Sequence, residues 1–255
     1  MNCENIIEQI LMLSKNEIKL INSLSQKKYR EVHQLFIVEG KKSILEFLDS
    51  HMELHHLYST SDDFDVEKNK HSLITEQELK KASSLKTPNT CIALFRISKS
   101  KTIDFSKLVL ALDDVRDPGN LGTIIRLCDW FGVEHLVCSK ATVDCYNPKV
   151  VQATMGSLAR VSVHYTDLAA FLGSSNVPIF GAFMDGANIY SHILPKQGIL
   201  VMGNEANGIS QEVASSIKKR VGIPQFGDAK SAESLNVATA TAIMLSEFAR
   251  RSIGT

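Results

Sequence analysis

Six apolar runs in the second half of the chain limit its fold more than any other feature. They read LVLALDDV from Leu108, HLVCS from His135, VSVHYT from Val161, VPIFGAFM from Val177, GILVMG from Gly198 and KRVGIP from Lys219. Most are apolar at nearly every position rather than at alternate ones, so both faces of each strand should be covered. Between and after them lie segments with helical spacing: NLGTIIRLCDWFG from Asn120, NPKVVQATMGSLAR from Asn147 and SLNVATATAIMLSEFARR from Ser234. Strands alternating with helices predict an α/β fold built on a parallel, doubly wound sheet.

The first hundred residues have a different texture. NIIEQILMLSK (5–15) and NEIKLINSLSQKKYREVHQ (16–34) read as helices, LFIVEG from Leu35 as a strand, and KKSILEFLDS from Lys41 as a helix. LHHLYST from Leu54 and CIALFRIS from Cys91 read as strands. TEQELKKASS opens with Thr75 and Glu78 in capping-box spacing, which predicts a helix. The pattern predicts a smaller α/β domain over 1–100. In the polar stretch SKSKTIDFSK from Ser98, residues 101–107 serve as linker to a second domain over 108–255.

Composition narrows the function classes. The chain has 255 residues, 44% of them hydrophobic, and 28 basic against 28 acidic residues. That is globular and, by expectation, soluble. Zero net charge argues against a protein that coats nucleic acid non-specifically. A local basic excess remains between Lys15 and Lys42, where seven Lys and Arg meet three Glu, and Lys27, Lys28 and Arg30 lie within it. No run of about 20 apolar residues is present to span a membrane, and the N-terminus lacks the pattern of a signal peptide. Five cysteines with no C-x-x-C fit reduced thiols in a cytoplasmic protein and give no metal site.

Three strand ends carry the polar residues a site needs, and in open parallel sheets ligands sit beyond the carboxyl ends of the strands. The first is LDDVRDPGNLGTIIR, where Asn120 opens a helix as its cap and Arg126 lies almost two turns along it. The second, GILVMGNEANGIS, has the outline of a phosphate loop with Ile209 where the lysine belongs. It offers Gly203 and Gly208 for close backbone approach and one carboxylate, Glu205, which suits a neutral or cationic ligand better than a triphosphate. The third, VGIPQFGDAKSAESLNVATATAI, runs from a strand ending at Ile223–Pro224 to a helix expected to be capped by Ser234. No G-x-G-x-x-G follows the first strand of this half, which weighs against a dinucleotide enzyme.

In that order, DPGNLGTIIR, VMGNEANGIS and IPQFGDAKSAESLNVA resemble the motifs of the SpoU/TrmH branch of the SPOUT RNA methyltransferases. KKYREVHQLFIVEGKKSILEFL and TPNTCIALFR resemble the L30e-like substrate-binding domain that often precedes them. The resemblance implies a parallel sheet closed by a C-terminal deep trefoil knot, a rare topology. It implies a homodimer that acts on RNA, not DNA, and away from membranes. The implied reaction is transfer of a methyl group from S-adenosylmethionine to a ribose 2′-hydroxyl, the group that separates RNA from DNA. The ribosomal-protein-like first domain points to 23S ribosomal RNA. Transfer RNA, or a non-catalytic RNA binder with a degenerate methyltransferase domain, are the alternatives. By the same resemblance the catalytic set is Arg126, Asn120, Glu205, Ser234 and Asn236. Asn120 and Glu205 would orient Arg126 and the nucleotide. Met202, Gly203, Asn204, Gly208, Ile223, Pro224, Ser234 and Leu235 would hold the cofactor, and Lys27, Lys28 and Arg30 would contact RNA phosphates. Some accounts make the arginine a general base, but a guanidinium stays protonated to above about pH 12, so gripping a phosphate is the easier role. Ala206 stands where the family loop has glycine. A positive φ there would cost alanine about 1 kcal/mol, and a negative one nothing.

Overall fold

The computed structural model describes residues 13–98, 100–227 and 234–253. The helix expected over 5–15 lies almost wholly outside them. Two compact units emerge, one of residues 1–99 with 146–159 and one of residues 100–145 with 160–255.

In the first unit, β1 (Leu35–Glu39), β4 (Cys91–Arg96), β2 (Leu54–Ser59) and β3 (His71–Leu73) form a sheet in that order. β4 is antiparallel to both neighbours and β3 is parallel to β2. Ile37, Leu94, Ile92 and Tyr58 pack with Ile21, Leu24 and Leu79 into one buried cluster. Full burial of each such aliphatic side chain contributes about 1.5–3 kcal/mol. The single helix expected over 16–34 is instead two, α1 (Lys15–Ser23) and α2 (Lys27–His33). The hydroxyls of Ser23 and Ser25 donate to Leu20 O and Asn22 O, a local competition that weakens helix continuation. Arg30 then donates from Nη1 to Leu24 O at 2.7 Å and Ser25 O at 2.9 Å. Helix α3 (Lys41–Leu48) follows β1, and α4 (Glu76–Ala82) has the expected capping box of Thr75 and Glu78. Residues 146–159, which the sequence reading runs into the second half, pack here. Tyr146 lies 4.6 Å from the Phe36 ring, and α6 (Pro148–Thr154) rests on β1. Gly156 has φ +95°, and a Cβ there would come within 2.6 Å of Glu46.

The second unit holds a six-stranded sheet ordered β10-β8-β9-β5-β6-β7. Its strands are β5 (Leu108–Leu112), β6 (His135–Ser139), β7 (Ser162–Thr166), β8 (Ile179–Asn188), β9 (Gly198–Met202) and β10 (Lys219–Gly222). Every pairing in it is parallel, as the apolar runs predict. Val109, Ala111, Val137, Ile199 and Val201 face Leu168 and Leu172 of α7 (Leu168–Gly173) and Val213 of α8 (Gln211–Ala214). Leu110, Leu112 and Leu200 are also fully buried. Helices α5 (Pro118–Trp130) and α9 (Val237–Ile253) pack on each other. β8 is longer than its sequence suggests, and between Arg220 and Val221 the register of β10 jumps from Gly181 to Ala187. There Gly186 and Val221 touch backbone to backbone, and a Cβ on Gly186 would lie 2.3 Å from the Val221 carbonyl carbon.

Candidate active site

All six strands of the second sheet point the same way, so β5, β9 and β10 end on one edge. At the end of β5, Asp113 N donates to Met202 O at 2.9 Å, and the buried Asp113 carboxylate accepts from Ser210 N at 2.8 Å. Asp114 takes the left-handed conformation, φ 57°. Its carbonyl accepts from Asn204 Nδ2 at 2.7 Å, and its carboxylate holds Arg116 through two bonds of 2.7 and 2.8 Å. The end of β5 is thus stitched to the loop after β9. Sequence reasoning passed over Asp113 and Asp114. The available signal was an acidic pair ending an apolar strand, because a buried carboxylate needs donors.

The loop itself is closed by Asn204 N to Gly208 O and Gly208 N to Asn204 O, both 2.9 Å. Asn204 Oδ1 accepts from Ala206 N and Asn207 N. A Cβ at Gly203 would lie 2.2 Å from Gly208 C, so the backbones touch there. Gly208 has φ +67° and nothing within 4 Å of where its Cβ would be. Ala206 is not among the positive-φ residues, so alanine fits without strain. Residues 203–210 carry one carboxylate and neither Lys nor Arg.

Two caps differ from expectation. Asp117, not Asn120, caps α5: its Oδ1 accepts from Asn120 N at 2.8 Å, with Pro118 at the first helical position. Asp-Pro at a helix start carries that signal. Asn236, not Ser234, caps α9, its Oδ1 accepting from Ala238 N and Thr239 N at 3.0 and 3.2 Å. The first shift frees the Asn120 side chain, and Asn236 caps through its oxygen while its nitrogen stays available. Asn120 Nδ2 donates to Glu205 Oε1 at 2.8 Å, and Asn236 Nδ2 donates to Asn120 Oδ1 at 2.9 Å. Three carboxamide and carboxylate groups from three distant stretches of chain form one hydrogen-bonded run.

The other expected residues are placed as follows. Met202 is buried at the end of β9. Ile223 and Pro224, half-buried, follow β10, which β8 separates from β9. Ser234 and Leu235 are exposed just ahead of the α9 cap. Arg126 is exposed on α5, and among the described residues it has no hydrogen-bond or ion-pair partner. Asn120 and Glu205 therefore bond each other and do not grip Arg126. In the first unit Lys27 sits 3.9 Å from Glu31, and Lys28 lies over the Tyr29 ring. Arg30 is a correction: it is 3% exposed and spends its guanidinium on the carbonyls of Leu24 and Ser25, so it does not face solvent.

A model described as the SpoU rRNA Methylase family matches residues 107–246, and one described as the MRM3-like substrate binding domain matches residues 15–93. The 23S rRNA (guanosine(2553)-2′-O)-methyltransferase RlmP of Bacillus subtilis (strain 168) is 28% identical over 247 residues, covering 94% of this chain and 98% of its own. A solved TrmH-family protein from Porphyromonas gingivalis superposes with TM-score 0.86 at 39% identity, over 94% of this chain and 99% of its own. An AdoMet-bound rRNA methyltransferase from Sinorhizobium meliloti superposes with TM-score 0.82 at 28% identity, over 97% of this chain and all of its own.

Proposed function

The chain belongs to the SpoU rRNA Methylase family, and from that premise we propose that it methylates a ribose 2′-hydroxyl of 23S ribosomal RNA with S-adenosylmethionine. The observation that carries this is the run Glu205–Asn120–Asn236, which ties the three sequence motifs together at the carboxyl edge of a parallel sheet. The near full-length likeness to RlmP and the matched substrate-binding domain favour ribosomal over transfer RNA. Intact Asn120, Arg126, Glu205 and Asn236 speak against a degenerate, non-catalytic domain.

Met202, Gly203, Asn204, Gly208, Ile223, Pro224, Ser234 and Leu235 would hold the cofactor. The site's chemistry fits it: loop 203–210 has amides, open space beside Gly208 and no cation to repel a sulfonium. When bound, S-adenosylmethionine supplies an electrophilic methyl group, so the protein's task is to orient and activate the hydroxyl. Arg126, unpaired among the described residues, is suited to grip a phosphate of the target nucleotide. Lys27 and Lys28 would engage phosphates elsewhere on the RNA.

Three further features belong to the same proposal. The chain leaves β9, reaches β10 at the sheet edge and returns so that Asn236 meets Asn120 and α9 packs on α5, a path that supports a C-terminal trefoil knot. Trp130, 83% exposed on α5, is a large apolar side chain suited to a homodimer contact. Among the described residues no helix is long and apolar enough to cross a membrane, and Cys91, Cys128, Cys138 and Cys145 are buried and in no disulfide. Reduced thiols fit a cytoplasmic enzyme. The first unit serves as the L30e-like RNA-binding domain.

Ribose methylation is mapped in cellular RNA with and without this chain, and an Arg126→Ala variant is then supplied. The expected result is one lost 2′-O-methyl position that wild type restores and the variant does not. Full restoration by the variant overturns the role of Arg126.

A further inference from the structure

We propose that Arg116 grips the phosphate chain of the RNA beside the target nucleotide, and that Asp114 is the positioning residue that holds its guanidinium for that contact. This rests on the methyl-transfer function above and names a further contact to its substrate.

The turn that carries Arg116 is fixed on both sides. Asp113 N donates to Met202 O and Asp114 N donates to Ser139 Oγ, both at 2.9 Å. The carbonyl of buried Val115 accepts from Val143 N at 3.0 Å. Asp117 then caps α5, and Asn120, four residues beyond Arg116, enters the run with Glu205 and Asn236. From this fixed base the Arg116 side chain stands into solvent, 72% exposed.

Asp114 sets its direction. The bonds from Nε and Nη2 to the two carboxylate oxygens, at 2.7 and 2.8 Å, pair the two planar groups fork to fork. They occupy two of the five guanidinium N–H groups and leave three, both on Nη1 and one on Nη2. Among the described residues Asp114 is the only partner of Arg116. Asp114 has little freedom to swing, because it is left-handed and its carbonyl accepts from Asn204 in the loop after β9. An exposed ion pair adds little to stability, so a left-handed aspartate kept in one points to a second use. The three open N–H groups suit the oxygens of a phosphate. The pair as a whole carries no net charge, so it brings these donors to the sheet edge without adding a cation to repel a sulfonium. An arginine ordered before binding also loses less entropy when it binds.

The test measures affinity for unmethylated 23S ribosomal RNA transcribed in vitro, beside S-adenosylmethionine binding by calorimetry. Arg116→Gln is expected to raise the RNA dissociation constant about tenfold, with that of the cofactor near its wild-type value. Asp114→Asn tests the holding role. Asparagine accepts the left-handed conformation and keeps the carbonyl for Asn204, and the change removes a negative charge. RNA binding is nonetheless expected to weaken, and the double variant to bind no worse than Arg116→Gln alone. Unchanged RNA affinity in Arg116→Gln overturns the proposal. So does tighter binding in Asp114→Asn, which means that charge alone governs. Loss of cofactor binding in Arg116→Gln gives the guanidinium to the cofactor carboxylate and overturns it too. RNA affinity is read without turnover. A wild-type chain that binds RNA but methylates no ribose therefore refutes the methyl-transfer function, while the variants still decide whether Arg116 contacts RNA.

Discussion

The carboxamide of Asn236 decides which way two further side chains face, and it does so because it is a helix cap. Single residues here serve structure and site together: Asn236 holds α9 by its oxygen and Asn120 by its nitrogen. Ala206 is a simpler case. Its φ is not positive, so glycine at this position only adds freedom to the unfolded chain. Ala206→Gly is expected to lower stability by about 0.4–1 kcal/mol with turnover unchanged; a rise in melting temperature contradicts this. Asn120, Glu205 and Asn236 were expected together from the resemblance of the three motifs to the SpoU/TrmH family, and hydrogen bonds join them in the fold. Their hydrogen-bond partners were not legible. Ser, Asn and Asp are all good caps, so spacing alone does not choose Asp117 over Asn120 or Asn236 over Ser234. Arg30 was misread because a basic cluster in sequence does not reveal which member turns inward to satisfy carbonyls.

Among elements, the parallel strands were the most legible, since burial on both faces writes a continuous apolar run. The three-residue β3 left too short a pattern to read, and the break between α1 and α2 depends on hydroxyl and guanidinium contacts that periodicity does not encode. The pairing of β6 with the edge strand β7 adds a pH dependence. His135 Nδ1 and His164 Nε2 lie 3.2 Å apart. Burial holds both imidazoles below the ordinary value of about 6.5. At His164 the neighbouring His135 adds to it; at His135 Glu134 and Asp104 oppose it, and Lys101 and Lys107 add smaller contributions in the same direction as burial. Below about pH 6.5 the unfolded chain binds protons that the folded one resists, so stability falls as pH drops through that window and is unaffected above it. Melting curves between pH 8 and 5 should therefore show a decline that His164→Gln makes shallower. An identical decline in the variant contradicts the assignment.

At the scale of the whole molecule, a chain of zero net charge still has to bind a polyanion. Removing Arg30 from the surface leaves Lys27 and Lys28 as the expected contacts on α2. Reversing both to Glu should weaken RNA binding and lower its salt slope by about 1.4, counting roughly 0.7 per lost phosphate contact. An unchanged slope rules α2 out of the RNA surface. The polar stretch near residue 100 was read as a linker between two domains, and the chain passes from one compact unit to the other at Lys99–Ser100. The return of residues 146–159 to the first unit was not legible, because it depends on long-range contacts such as Tyr146 on Phe36. The central claim, that the edge of the second sheet delivers a methyl group to a ribose oxygen, has a direct chemical test. Ribosomal RNA treated with the protein and S-adenosylmethionine is cleaved with alkali, which needs a free 2′-hydroxyl at each position. The account predicts one new gap in the ladder, matched by one methyl group incorporated; methyl incorporation into RNA with an unbroken ladder would contradict it.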